Sequence, residues 1–322
     1  MASLAYMKRN VGVDFLRVLC VVYIVCFWHL FNYVDFQFDY NNAITYRLTI
    51  LVLGMFIFIS GYYIGRSNFQ FSRGSVLCFY RKKFWRIYPL YFFALFLFFI
   101  AGLTDFYAFV KAVFALSMLL QPSPPTLWFV AMLILFYAVA PFMLYLYEFG
   151  FSYFIAWCMI VIVAMIVYSL LCKTLDIRLI IYFPAFAGGI FISKNKSFLK
   201  PKYLLYFFIF TFFVSFFKTS FTEINCFFLS AMVVAGSSFF FLVAENWVFP
   251  TKLAKMIVFL SYSSYCTYLF HRIIYGCLKK IYFPLDAHFQ VLYLFVIFVP
   301  CCVFVSYMVQ KKYDIKMGLL NL

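Results

Sequence analysis

The stretch Arg17-Val-Leu-Cys-Val-Val-Tyr-Ile-Val-Cys-Phe-Trp-His29 decides how the rest of this chain is read. It belongs to an apolar run, 11–31, that is long enough to cross a bilayer at about 20 residues per span. Yet it carries an arginine near its start and a histidine near its end. Ionisable side chains are costly inside a membrane segment, so the pair marks a functional site within an embedded helix.

The surrounding sequence has the composition such a site needs. Of 322 residues, 67% are hydrophobic and 25% aromatic, only 11% are charged, and the mean hydropathy is +1.00. These values lie far outside the soluble range and specify an integral membrane protein. The first run reads as a retained helix instead of a cleavable leader, because it is long enough to span and no small-residue cleavage site follows it. Breaking the chain at charges, prolines and glycines gives further apolar runs near 44–66, 84–102, 126–147, 151–172, 179–193, 203–217, 224–246, 255–278 and 289–310. The expectation is an all-α bundle of about ten transmembrane helices forming a single domain over 1–322. Residues 105–120 make a shorter apolar stretch containing Asp105 and Lys111, which suits a re-entrant or interfacial helix.

With the N-terminus in the cytoplasm, Lys8 and Arg9, six basic residues between 66 and 86, four between 194 and 202, Lys252, Lys255, Lys311, Lys312 and Lys316 fall on the inner side. That is seventeen of the 26 basic residues against eight on the outer side, which satisfies the positive-inside rule with both termini cytoplasmic. The same distribution accounts for most of the formal charge of +16. The basic residues alternate with spans and form no separate basic domain, so no nucleic-acid partner is implied. The ten cysteines sit mostly in apolar runs, with no C-x-x-C and no metal-ligand spacing, and read as small buried hydrophobes.

The densest basic cluster is Arg81-Lys82-Lys83-Phe-Trp-Arg86-Ile-Tyr-Pro89, at the inner entrance of the third span. One reading is a topogenic anchor flanked by interfacial aromatics. The other is an anion site, with Arg81 and Arg86 gripping phosphate, Lys82 and Lys83 adding charge, and a helix N-terminus beside them.

A family resemblance bears on this choice. Val13-Asp14-Phe-Leu-Arg17, running on to His29, resembles the opening of the membrane-bound acyltransferase-3 family, which transfers acyl groups to sugars and other hydroxyl acceptors. Phe56-Ile-Phe-Ile-Ser60-Gly61 looks like its second-span SG signature, and Lys83-Phe-Trp-Arg86-Ile-Tyr-Pro89 like its basic R-x-x-R-I-Y-P element. Leu127-Trp128-Phe129 is similar to its LWFL segment. Phe183-Pro-Ala-Phe-Ala-Gly188-Gly189 and Leu260-Ser261-Tyr262-Ser-Ser-Tyr265-Cys-Thr-Tyr268-Leu-Phe-His271 follow in family order. The resemblance implies a cytosolic acyl-CoA donor, acetyl-CoA above all, with no permanently bound cofactor or metal. It also implies a surface glycan or lipid-linked precursor as acceptor, at a bacterial-type inner membrane. His29 would act as the general base, Arg17 as a donor-binding group or a partner of Asp14, and Arg81, Lys82, Lys83 and Arg86 as the donor-phosphate site.

Two departures from the family pattern matter. Eleven residues separate Arg17 from His29 where the family has ten, which at about 100° per residue changes their offset from roughly 20° to roughly 120°. A π-bulge would restore the alignment, and so would roles in which the two never touch. Lys83 stands where the family prefers arginine. Twelve steps at about 1.5 Å put His29 roughly 18 Å along the helix from Arg17, so one acyl-CoA could span the two with its phosphates inside and its thioester further out.

Four further residues are candidates. His271 faces an acceptor or the membrane interface, Ser60 bonds the donor or allows packing beside Gly61, and Trp128 is either a belt aromatic or a sugar platform. Asp14 is a support for Arg17. A transporter of an anionic or lipid-linked substrate is the rival reading, with Arg17 and His29 lining its route, but no repeated halves with paired broken helices are visible.

Overall fold

The computed structural model describes residues 9–34, 40–67, 69–196 and 200–318, and every regular element among them is helical. Lys8, counted above among the inner charges, lies outside the described residues. Helix α1 (Val11–Val21) starts at Asn10, whose side chain accepts a hydrogen bond from the Val13 amide. It continues into a π-helical segment, Val22–Trp28. Then come α2 (Ala43–Gly65), α3 (Arg73–Ile100), the short α4 (Phe106–Val113), α5 (Trp128–Phe149), α6 (Phe151–Cys172) and α7 (Arg178–Lys194). The chain ends in α8 (Pro201–Val214), α9 (Thr222–Glu245), α10 (Thr251–Ile281), and α11 (Ala287–Tyr293), which runs through a second π segment into α12 (Val299–Lys316).

Seven of these segments are long and apolar enough to cross a membrane: Val11–Tyr33, Ala43–Gly65, Arg73–Ile100, Trp128–Phe149, Phe151–Cys172, Thr222–Glu245 and Ala287–Lys316. The three remaining expected spans are helical but do not qualify. Helices α7 and α8 are short, at 17 and 14 residues, and the 31-residue α10 carries Lys252, Lys255, Arg272, Lys279 and Lys280.

Helix α2 lies at the centre, packed most extensively on α7 and α9, and the glycines explain how closely. A Cβ built on Gly61 would lie 2.1 Å from the Phe186 carbonyl oxygen, and one on Gly189 would lie 2.2 Å from that of Phe58. Gly61 of α2 and Gly189 of α7 therefore let the two helices press backbone to backbone, the small-residue contact that drives helix association where lipid supplies no hydrophobic drive. Helix α6 is peripheral, burying only Phe154 and Cys158.

Helix α3 starts at Arg73, capped by Ser72, eleven residues before the apolar run at 84. Arg81 to Arg86 therefore lie in the third and fourth turns, and the expected help from a helix N-terminus is absent. Pro89 cannot donate to the Trp85 carbonyl four residues back; the Tyr313 hydroxyl of α12 donates to that oxygen instead. The 105–120 stretch forms α4 and a 3₁₀ turn, too short to cross. It is fastened by Asp105 capping the Ala108 amide and by the Lys111 ammonium donating to the Leu120 and Gln121 carbonyls, 2.7 Å each. Of the ten cysteines, all free, Cys20, Cys158, Cys226, Cys266 and Cys302 are buried, while Cys78, Cys172 and Cys277 are exposed on outward-facing helix surfaces.

Candidate active site

Arg17 and His29 belong to two separate clusters, both facing α10. Asp14, on the face of α1 that meets α10, is buried. It accepts a hydrogen bond from the Ser261 hydroxyl at 2.7 Å and pairs closely with Arg9. The Arg17 guanidinium is the more distant partner at 3.9 Å, so Asp14 is mainly neutralised by Arg9 and Arg17 keeps much of its charge for other contacts. The Arg17 guanidinium lies 5.2 Å from the Tyr63 ring centre. Lys83 reaches in from α3, its ammonium 4.6 Å from the ring centre of Tyr137 on α5. Ser60 lies beside the Tyr137 side chain, and Arg17 and Arg86 are near enough for their charges to bear on both Tyr137 and Lys83.

Arg17, Ser60, Lys83 and Arg86 are thus brought together around Tyr137, with Arg9 and Arg66 acting on the neighbouring Tyr63. Arg81, Lys82 and Arg86 are exposed on α3, and among the described residues Arg81 and Lys82 show no hydrogen bond or ion pair with this group. At the same end of the bundle, Arg9, Asn10, Arg66, Glu245 and Trp247 line a cavity of about 360 Å³. Six cationic side chains converge here on two carboxylates, and Glu245 is already paired with Lys196 at 2.5 Å. The excess positive charge suits a polyanion.

The second cluster is built by the π segment. The His29 amide bonds the Ile24 carbonyl five residues back, at 2.8 Å, which is the π pattern. A π turn takes in one more residue than an α turn, so the twelve steps from Arg17 to His29 cover the angle of eleven α-helical steps, returning the offset to roughly 20°. His29 therefore meets α10 on the side where Asp14 meets it through Ser261. Its Nδ1 lies 2.7 Å from Nε2 of His271, which is fully buried. The ring planes differ by 6° and the centroids are 4.8 Å apart, about the N–N distance plus a ring radius at each end. The imidazoles lie edge to edge in one plane, the geometry of an in-plane hydrogen bond.

The remaining contacts fix the proton positions. Nδ1 of His271 is 2.8 Å from the Tyr268 carbonyl oxygen, which only accepts, so this nitrogen carries hydrogen. In a neutral His271, Nε2 is then an acceptor, and the proton in the shared bond belongs to His29 Nδ1. Nε2 of His29 is left with a lone pair. A base oriented by a second residue, itself held by the backbone, is the arrangement of an activated general base. Tyr268 is tied in turn to the Thr126 carbonyl at 2.9 Å, and Tyr275 stacks edge-on to His271.

The two clusters lie along the same pair of helices. Ser261 and His271 are ten residues apart on α10, or roughly 15 Å at 1.5 Å per residue. The α1 and α10 spacings agree in separating a cationic end from a histidine end. A family model described as an acyltransferase domain matches residues 10–310.

The chain belongs to the acyltransferase-3 family.

The match takes in every motif residue named above, and this is a membrane acyltransferase. Comparison with curated proteins and with solved structures gave no match. In the acyltransferase, Trp128 lies near the histidine end with Arg178 over its ring at 3.8 Å and Tyr182 stacked nearby, while Arg178 is held by Asp176 at 2.7 Å. No group of His, Cys, Asp and Glu suited to a metal ion occurs among the described residues. Reading the sequence did not single out Arg9, Tyr63, Tyr137 or Arg272; Arg272, beside His271 and inside an apolar run, was the one carrying a visible signal.

Proposed function

We propose that this acyltransferase carries acetyl from cytosolic acetyl-CoA across the inner membrane to a hydroxyl of a surface polysaccharide or a lipid-linked glycan precursor. The observation that supports this most is the placement of a cationic basin and a lone-pair-bearing histidine at opposite ends of α1 and α10. Arg17, Lys83 and Arg86, with Arg9 and Arg66 at the mouth, would bind the donor's phosphates, and the pantetheine arm would run between α1, α2 and α5 to bring the thioester to His29. Nε2 of His29 takes the proton of the acceptor hydroxyl as its oxygen attacks the thioester carbon. The departing coenzyme A sulfur then recovers that proton.

In this reading α7, α8 and α10 also cross, giving ten spans and both termini in the cytoplasm, with the basic basin facing the compartment that holds coenzyme A. The whole chain acts as one domain. Mass spectrometry of surface glycans from cells with and without the gene tests the proposal: one acetyl per modified repeat should vanish with the gene. An unchanged glycan, with the labelled acetyl found elsewhere, would refute the acceptor assignment.

A further inference from the structure

Arg272 follows His271 on α10, and its surroundings are unusual for a cation at this depth. Its Nε is buried and has no hydrogen-bond partner among the described residues, and no carboxylate there pairs with it. Two other cations held in the bundle are provided for. Arg47 donates to the Ser215 hydroxyl and the Ala43 and Ser215 carbonyls, and Lys111 donates to two carbonyls. Arg272 lies near enough to His29 and His271, and to Tyr33, Tyr40 and Tyr268 around them, for its charge to bear on them. An unsatisfied guanidinium donor next to a base is expensive unless something negative arrives to use it.

We propose that Arg272 is a catalytic residue, its guanidinium stabilising the oxyanion of the tetrahedral intermediate formed beside His29; this rests on the acyl-transfer reading above. When the acceptor oxygen bonds the thioester carbon, the carbonyl π pair moves onto oxygen and the hydroxyl proton moves to His29 Nε2. The negative charge therefore develops beside a dyad whose chain neighbour, Arg272, is cationic. On collapse the pair re-forms the carbonyl, the carbon–sulfur bond breaks, and the sulfur takes the proton from His29. A buried Nε–H already stripped of water and fixed by the helix needs no reorganisation at that moment, which is what makes such a donor effective.

The test uses the full chain in membranes, with acetyl-CoA as donor and membranes from cells lacking the gene titrated as acceptor source. Arg272→Gln should lower the maximal rate about a hundredfold to a thousandfold, with little change in acceptor KM or in acetyl-CoA affinity, and Arg272→Lys should recover part of the loss. A near-wild-type maximal rate in a folded Arg272→Gln protein would overturn the proposal. So would a raised acceptor KM at unchanged maximal rate, which would make Arg272 an acceptor-binding group. If Arg272→Gln fails to accumulate, Arg272→Lys carries the same decision: a lowered maximal rate at unchanged KM supports the role, and a wild-type rate shows that the Nε–H is not needed there and overturns it. His29→Ala, assayed alongside, separates the two levels, because activity retained in that variant would sink the acyl-transfer mechanism itself.

Discussion

Gly61, Gly188 and Gly189 give a sharp test of the packing that positions the site. An alanine Cβ at 61 would sit 2.1 Å from the Phe186 carbonyl oxygen, and ordinary contact begins near 3.4 Å, so α2 and α7 must separate by about 1.3 Å. Position 189 makes the reciprocal demand against the Phe58 carbonyl at 2.2 Å. Both obstacles are helix backbone, which cannot swing aside as a side chain would. Position 188 is different: its Cβ would meet Val234 at 3.6 Å and Phe58 ring atoms at 3.8 Å or more. Overpacking of this kind typically costs about 1–3 kcal/mol, so Gly61→Ala and Gly189→Ala should each melt several degrees lower in detergent, followed by size-exclusion fluorescence. Gly188→Ala should melt like the wild type. Activity should fall further than stability in Gly61→Ala, because Ser60 moves with α2 away from Tyr137 and a misplacement near 1 Å can cost about a hundredfold. Equal behaviour of Gly188→Ala and Gly189→Ala, or an undisturbed Gly61→Ala, would refute the backbone-contact reasoning.

Three other outcomes follow from the same geometry. His271→Gln keeps a side-chain acceptor near His29 Nδ1 but loses the fixed ring, and should reduce the maximal rate roughly tenfold to a thousandfold while donor binding holds; wild-type turnover would remove His271 from the mechanism. Lys83→Gln and Arg86→Gln should raise the KM for acetyl-CoA more than that for the acceptor, and a change confined to the acceptor would move the donor site elsewhere. Arg47 is buried against Ser215 and lies 3.7 Å from the Phe216 ring centre, so Arg47→Ala should lose roughly 1.5–3 kcal/mol with unchanged KM values; an unaltered melting temperature would show the clamp to be dispensable.

The helical architecture was legible because each long apolar run had a polar or proline break on either side. Less visible was the start of α3. Residues 73–83 are helical through the Ser72 cap but too polar to register as a span, and this hid the fact that Arg81 to Arg86 lie inside a helix. At the cationic end the sequence pointed to some of the neighbours, since Arg17, Ser60 and Lys83 lie around Tyr137. Its full membership was not legible, because Arg9 and Tyr137 enter through tertiary contacts that no spacing encodes. The extra residue between Arg17 and His29 looked like a misaligned site, and the π segment that absorbs it carries no sequence mark of its own. His271 stood out as a candidate for the acceptor side. Only the Tyr268 carbonyl, one helical turn back, shows that it orders His29.

In the proposed function His29 supplies the base while the cationic end holds the donor. The direct measurement is made on purified His29→Ala and Arg17→Ala, reading acetyl-CoA binding by calorimetry and acetyl transfer on the same preparations. Groups some 15–18 Å apart along the helices share no bond and should act nearly independently. His29→Ala should bind acetyl-CoA as the wild type does and transfer no acetyl, whereas Arg17→Ala should bind it poorly. Transfer retained by His29→Ala, or equal loss of donor binding in both variants, would contradict the account.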